Sequence, residues 1–433
     1  MTTWTNWAET TTAHLAGIAQ PSTVDELRAA VAGAARDGMR VKPIGAGHSF
    51  TAIGQTSGIQ IRMSNLAGVL RADVPSGLVT VLAGTRLHEL NETLWHLGLS
   101  MTNLGDIDVQ TVSGAIATGT HGTGARFGGI ATQVRGLQIV TADGTLLECS
   151  ADENAELLAA ARVGLGALGV IATVTLQCEP AFALAASESP ATLDEVLDGL
   201  EENVDGNDHF EFFWFPHTRR VLTKRNNRVL PGTRLEPISR MRHKIDDEFL
   251  SNTVFDAINK VTSRRPSLIP RANAFAARAL SARDYIDRSY RVFASPRTVK
   301  FREMEYAVPR AAVPQVLAEI EAYLARSGEQ TGFPVEVRFA AADDIPLSTA
   351  YGRESGYIAV HEYIRRDYER YFHAVEAIAR DVGGRPHWGK LHWRDAGSLR
   401  AAYPKFDDFV ALRDKLDPDR VFGNEYLAKV LGS

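Results

Sequence analysis

Residues 110–124 read QTVSGAIATGTHGTG. Four glycines, two alanines and four threonines fill most of these positions, with one imidazole at His121. No ordinary helix or strand tolerates that composition, because each glycine costs about 1 kcal/mol in a helix interior. The stretch suits a backbone that turns sharply and approaches something large and polar, with N–H groups and small hydroxyls as donors. A polyanionic cofactor is the expected occupant.

A second loop of the same character, PIGAGHSF at 43–50, follows a short strand and places His48 and Ser49 where the loop closes. Two small-residue loops suggest two walls around one extended ligand. Neither is a Walker loop, since G-x-x-x-x-G-K-[ST] is absent. A G-x-G-x-x-G does occur at 164–169, but a helical run precedes it and a strand-like run follows it. A dinucleotide fingerprint needs the reverse order, so a Rossmann site and a nicotinamide enzyme are not expected.

With 433 residues, the chain has room for two or three domains with real cores. A net charge of −5 without basic runs gives no case for nucleic acid or an anionic membrane. Cys149 and Cys178 lie in apolar surroundings, against a disulfide framework or a thiolate metal site and in keeping with a reducing compartment. The first residues lack the basic and apolar regions of a signal peptide, and no run of apolar residues is long enough to span a bilayer. These features predict a cytoplasmic enzyme with no membrane span.

Residues 22–180 alternate short strands (41–44, 59–62, 68–72, 78–82, 137–140, 146–148, 170–177) with helices at 24–37, 87–97 and 154–161. The pattern changes near Pro180. Beyond it come amphipathic stretches at 192–203 and 311–327 and an aromatic strand at 210–215. A Pro/Arg-rich middle at 231–297 reads as helices and loops capping a sheet. Strands are expected at 333–339 and 356–364, and a closing helix at 406–416.

In 333–339, FPVEVRF, alternation puts Glu336 and Arg338 on one face of a strand and apolar residues on the other. His361 ends a further apolar run. The segment RPHWGKLHW at 385–393 groups two tryptophans, two histidines and Lys390 around one glycine, a mixture suited to a sugar-like ligand. No carboxylate or thiol stands at ligand spacing from His387 and His392, so no metal is expected. No G-x-S-x-G elbow is present, and hydrolase chemistry has no support.

Six ordered motifs now carry a resemblance: GAGHSF at 45–50, GAIATGTHGTG at 114–124, GALGVIATVTL at 166–176, PVEVRF at 334–339, RPHWGKLH at 385–392 and LDPDRVFGNEYL at 416–427. Together they resemble the FAD-linked sugar-lactone oxidases of the vanillyl-alcohol-oxidase type, nearest the L-gulono-1,4-lactone and D-arabinono-1,4-lactone oxidases, with alditol oxidases next. The resemblance implies an α+β fold: a two-lobed FAD-binding domain of the PCMH type (1–180), a cap domain with a large antiparallel sheet (181–400), and a segment returning to the FAD domain (401–433).

It also implies roles. FAD would lie on Gly45, Ala46, Gly47 and Ser49, and on Thr111, Gly114, Ala115, Ile116, Ala117 and Thr118, with Ile171 nearby, and His48 would be bonded covalently to it. Arg338 and Lys390 would bind the reacting hydroxyl and stabilise the alkoxide as hydride passes to flavin N5. Glu336 would hold substrate hydroxyls and orient Arg338. Asp106, His361 and His392 would make further substrate contacts; His361 and Asp106 depart from the threonine and serine of alditol oxidases. Gly105, at a position that gates oxygen in this family, implies an oxidase releasing hydrogen peroxide. The alternatives are an alditol oxidase, a lactone dehydrogenase using another acceptor, and a flavin carrier without turnover.

Overall fold

The computed structural model describes residues 2–239, 255–294 and 299–433. Strands Val41–Ile44, Ile59–Arg62 and Gly17–Ala19 form a small parallel sheet. Helix Val24–Arg36 packs Leu27, Val31 and Ala34 into the core beside it, and the Thr23 hydroxyl caps the helix by accepting from Glu26 N at 3.1 Å. A second, antiparallel sheet runs in the order Leu146–Cys149, Val134–Val140, Val170–Gln177, Leu78–Leu82, Val69–Asp73. Both sheets lie within residues 1–180, where a two-lobed FAD-binding domain is expected.

An eight-stranded sheet follows, antiparallel throughout: Arg283–Arg288, Ala183–Thr192, Arg220–Arg228, His209–Trp214, Val335–Ala340, Ser355–Tyr363, Phe301–Pro309 and Arg385–Pro386. Its period of two separates two worlds. Met304, Tyr306, Val308, Val335, Val337, Phe339, Ile358 and Val360 pack in one cluster with helices Val313–Ser327 and Glu369–Asp381. The opposite face presents Glu303, Glu305, Glu336, Arg338, Tyr357 and His361, all buried.

The chain then returns. Leu399, Tyr403, Phe406, Phe409, Leu427 and Val430 share a core with Leu87, Leu90, Val112 and Ile116. Val41 N donates to Val421 O at 2.8 Å, tying the end of the chain to the strand before the first loop. Among the described residues, no helix is long and apolar enough to cross a membrane.

Several elements differ from expectation. The amphipathic stretch 192–203 is two helices, Leu193–Asp198 and Leu200–Asp205, parted at Gly199. The helix expected from 311 begins at Val313, after a single 3₁₀ turn, with proline in its first turn. Strands Ala183–Thr192, Arg220–Arg228 and Phe301–Pro309 and the hairpin Thr2–Thr5/Thr12–Leu15 were not anticipated. Within 231–297, helices Phe255–Arg264 and Ile269–Ala279 agree with the reading, strand Arg283–Arg288 does not, and 240–254 and 295–298 lie outside the described residues.

The opening inference about 110–124 needs correcting. Val112–Ala117 is a short helix, capped by the Thr111 hydroxyl accepting from Gly114 N at 3.2 Å. Its single glycine is outweighed because Val112, Ala115 and Ile116 are buried in the core. The rest of the stretch is irregular. It docks on the large sheet, with Gly124 N donating to Phe339 O at 2.8 Å and Phe339 N to Thr123 Oγ1 at 3.1 Å.

Candidate active site

Two adjoining cavities share His48, Ser49, Gln110 and Thr118. The first is an open cleft between the two glycine-rich loops. Gly45, Ala46, Gly47, Thr111, Gly114, Ala117 and Thr118 line it, and Ile171 closes one side. Ala115 and Ile116 do not; their side chains are fully buried in the core. The loops approach so closely that a Cβ on Gly45 would stand 2.2 Å from Thr111 Oγ1, and Gly47 has φ +69°. Leu165, Gly166 and Gly169 of the misplaced G-x-G-x-x-G also line this cavity, so that motif serves the ligand from an unexpected direction.

The unanticipated N-terminal hairpin clamps the His48 loop. Trp7 N donates to Gly47 O at 2.9 Å, Asn6 Nδ2 to Ser49 O at 2.9 Å, and Trp7 stacks on the His48 ring at 5.1 Å. Burial first, then the nearby charges of Lys390 and Arg86, push the His48 imidazole down to about 4. It is therefore neutral near pH 7, with a lone pair free for bond formation.

The second cavity lies against the charged face of the large sheet. Strand register explains its layout. His361 stands directly across from Glu303, and Ala359 separates Glu305 from Glu336, its small side chain leaving room between them. Arg338 is held by three carboxylates: Glu336 in a short contact, Glu211 at 2.8 Å and Asp106 at 3.5 Å. Burial opposes its charge, but these partners outweigh burial and hold it well above its usual value. Lys390 pairs closely with Glu303 and lies 5.0 Å from the Phe50 ring; despite burial, Glu303 and Glu305 raise it, so it stays an ammonium.

Both ring nitrogens of His121 face acceptors, Gly122 O at 2.9 Å and Glu305 at 3.2 Å. Burial works against the Glu305 carboxylate, but His121 next to it holds it well below the usual range. His121, Glu305 and His387 bring donor atoms within 4.8 Å of one another. Gly389 N donates to His387 Nδ1 at 3.1 Å, and burial keeps this ring neutral, down to about 4. The group is a hydrogen-bonding cluster.

Of the residues expected in this site, Gly105, Asp106, Glu336, Arg338, His361 and Lys390 line the cavity together. His392 does not. It is buried beside Trp388 with Nε2 2.9 Å from the Tyr426 hydroxyl, and burial lowers it to about 3. The tryptophans of 385–393 are not ligand faces either. Trp388 is fully buried and donates to Leu347 O at 2.7 Å, while Trp393 stacks on His373. Glu211, Glu303, Glu305 and His121 were missed. The E-x-E spacing of Phe301–Pro309, with Met304 and Tyr306 between and beyond, was the available signal for two of them.

The cavities fit FAD. Gln110 Oε1, at their junction, is buried without a hydrogen-bond partner among the described residues, an acceptor awaiting a ligand donor. At Gly45 any side chain would collide with Thr111, so bare backbone lines the cavity there.

Residues 174–430 match the family model described as D-arabinono-1,4-lactone oxidase, and residues 15–150 that of an FAD-binding domain. The chain is 44% identical over 429 residues to an L-gulono-1,4-lactone dehydrogenase of Mycobacterium tuberculosis, covering 99% of both. It is 38% identical over 432 residues to the L-gulonolactone oxidase of Bos taurus, covering 98% of this chain and 97% of that one. A crystal structure of cholesterol oxidase from B. sterolicum has the same fold, with a TM-score of 0.80 at 18% identity over 99% of this chain and 96% of that one.

Proposed function

The chain belongs to the aldonolactone oxidase and dehydrogenase family of FAD-dependent oxidoreductases, and on that premise we propose that it oxidises a secondary alcohol of a neutral sugar-1,4-lactone of the L-gulono or D-arabinono type, with oxygen as acceptor and hydrogen peroxide as product. Residues 1–180 and 401–433 hold the cofactor in this reading, and 181–400 cover it.

FAD supplies the hydride acceptor, and the neutral His48 is the residue that would attach it covalently. Arg338 and Lys390 bind the reacting hydroxyl and stabilise negative charge as its proton passes to a carboxylate of the lining. Each is kept cationic by carboxylates, so neither can serve as the base. Glu336 fixes the Arg338 guanidinium and, with Asp106 and His361, accepts from or donates to the remaining hydroxyls.

The observation that carries this reading is the charge of the second cavity. Asp106, Asp108, Glu303, Glu305 and Glu336 line it, against Arg338 and Lys390 as fixed cations. Carboxylates are good acceptors for a polyhydroxylated neutral ring, while an open-chain aldonate would meet like charge. A linear polyol is the second reading, disfavoured by His361 and Asp106 at positions that are threonine and serine in alditol oxidases. Peroxide release across a panel of aldonolactones, aldonates and polyols tests the proposal. Turnover confined to polyols or to the open-chain acids would sink it. Turnover of lactones with an artificial acceptor but not with oxygen would make the chain a dehydrogenase, as the M. tuberculosis relative is named.

A further inference from the structure

Lys42 lies on strand Val41–Ile44, immediately before the His48 loop, and is 1% exposed. Among the described residues its ammonium reaches one hydrogen-bond acceptor, Gly166 O at 3.3 Å, a long contact for a charged donor. A buried ammonium with so little compensation is costly. It also lines the first cavity, where it is the only Lys, Arg, Asp or Glu among the lining residues. The other titratable lining group, His48, is neutral near pH 7. The carboxylate of Asp417 acts on Lys42 from the returning segment, but it is already engaged by Val421 N at 2.7 Å and Phe422 N at 2.9 Å. Burial lowers Lys42 to about 7, with Asp417 offsetting only part of the effect.

FAD carries its formal charge on the diphosphate; its adenosine, ribityl and ring portions are neutral at pH 7. The one cationic side chain of the cavity therefore has one place on the ligand to match. We propose that Lys42 is the charge-matching residue for the FAD diphosphate, its ammonium meeting the one charged part of the ligand from the wall of the first cavity. The inference rests on the FAD reading of the cavity. It assigns Lys42 to binding and positioning, with no part in the oxidation.

The test uses full-length protein carrying His48→Ala, so that FAD stays exchangeable, and reads the fluorescence of released flavin. ADP-ribose, which has the same fully ionised diphosphate diester, and adenosine, which has none, serve as competitors. Lys42→Met should weaken FAD and ADP-ribose by roughly tenfold or more, the scale of one lost charge-assisted hydrogen bond, and leave adenosine within about twofold. Equal weakening of ADP-ribose and adenosine, or of neither, overturns the proposal. Should Lys42→Met fail to fold, the pH dependence of the lysine-containing protein decides. FAD affinity should fall as pH rises from about 7 to about 10, and Lys42→Arg should abolish that fall. A flat profile with Lys42 in place also overturns it. Protein isolated without FAD and unable to take it up would defeat the FAD reading itself, whereas bound FAD indifferent to Lys42 defeats only this inference.

Discussion

Lys390 and Glu303 form a close ion pair inside the cavity that faces the large sheet, and the strand register places His361 across from the same glutamate. The cation assigned to the reacting hydroxyl is thus already half of a buried pair. Removing it leaves the buried Glu303 carboxylate with His361, at 3.5 Å, in place of a full ion pair, a loss that falls below the roughly 3–5 kcal/mol of a wholly unpaired buried charge.

Lys390→Met should therefore do two things. Flavin reduction by substrate should slow on the order of 10²–10³-fold, the scale of one lost electrostatic donor, and the fold should weaken. Lys390→Met/Glu303→Gln should recover stability without recovering the rate. Stopped-flow reduction and urea unfolding on the same samples separate the two effects. Recovery of the rate in the double variant would mean that Lys390 acts only by neutralising Glu303.

Gly105→Ala tests the choice of acceptor. A Cβ there would stand 3.1 Å from Thr120 Cγ2 and 3.3 Å from His121 O, tight but adjustable. Reoxidation by oxygen should slow several-fold or more while reduction by substrate stays nearly unchanged. Equal slowing of both half-reactions would make Gly105 a packing residue.

Acid stability follows from histidines that burial holds neutral, with His209, His387 and His392 the deepest of them. Burial holds His209 and His387 at about 4 and His392 at about 3. An unfolded imidazole, near 6.5, takes up its proton as pH falls, while the folded rings do not until about 4 or below. Their contribution is thus present above about 6.5 and lost as pH falls toward 4, each group costing on the order of 1 kcal/mol per pH unit. The urea midpoint should drop between pH 7.5 and pH 5. His392→Asn, although less stable at pH 7.5, should drop less. An identical slope in that variant would show that other groups govern acid unfolding.

Covalent attachment at His48 predicts that the denatured, gel-separated protein fluoresces as flavin and that His48→Ala does not. Flavin fully extractable from the unaltered protein would remove the bond from this account.

What could be read ahead of the structure tracks what is local. Val335–Ala340 was legible because its period of two is strict, and it delivered Glu336 and Arg338 correctly to one buried face. Glycine density marked both walls of the first cavity, but in 110–124 it hid the helix Val112–Ala117, which burial of Val112, Ala115 and Ile116 holds despite Gly114. Glu303 and Glu305 were missed because Phe301–Pro309 gains its meaning only from pairing with Ser355–Tyr363, a long-range register that no window reveals. His392 was misplaced for the converse reason. Its neighbours in sequence, Gly389 and Lys390, line the cavity, but the chain turns and buries the ring against Tyr426. Ala183–Thr192 escaped notice because ALAASESPAT carries little β propensity and is held as a strand by two partners.

The central claim is that this cavity oxidises a neutral sugar lactone at the expense of bound FAD. Anaerobic mixing of the FAD-loaded protein with L-gulono-1,4-lactone or D-arabinono-1,4-lactone tests it most directly. A lactone should bleach the visible flavin band, and the corresponding open-chain aldonates and linear polyols should do so far more slowly. A flavin that dithionite reduces but neither lactone bleaches would contradict it.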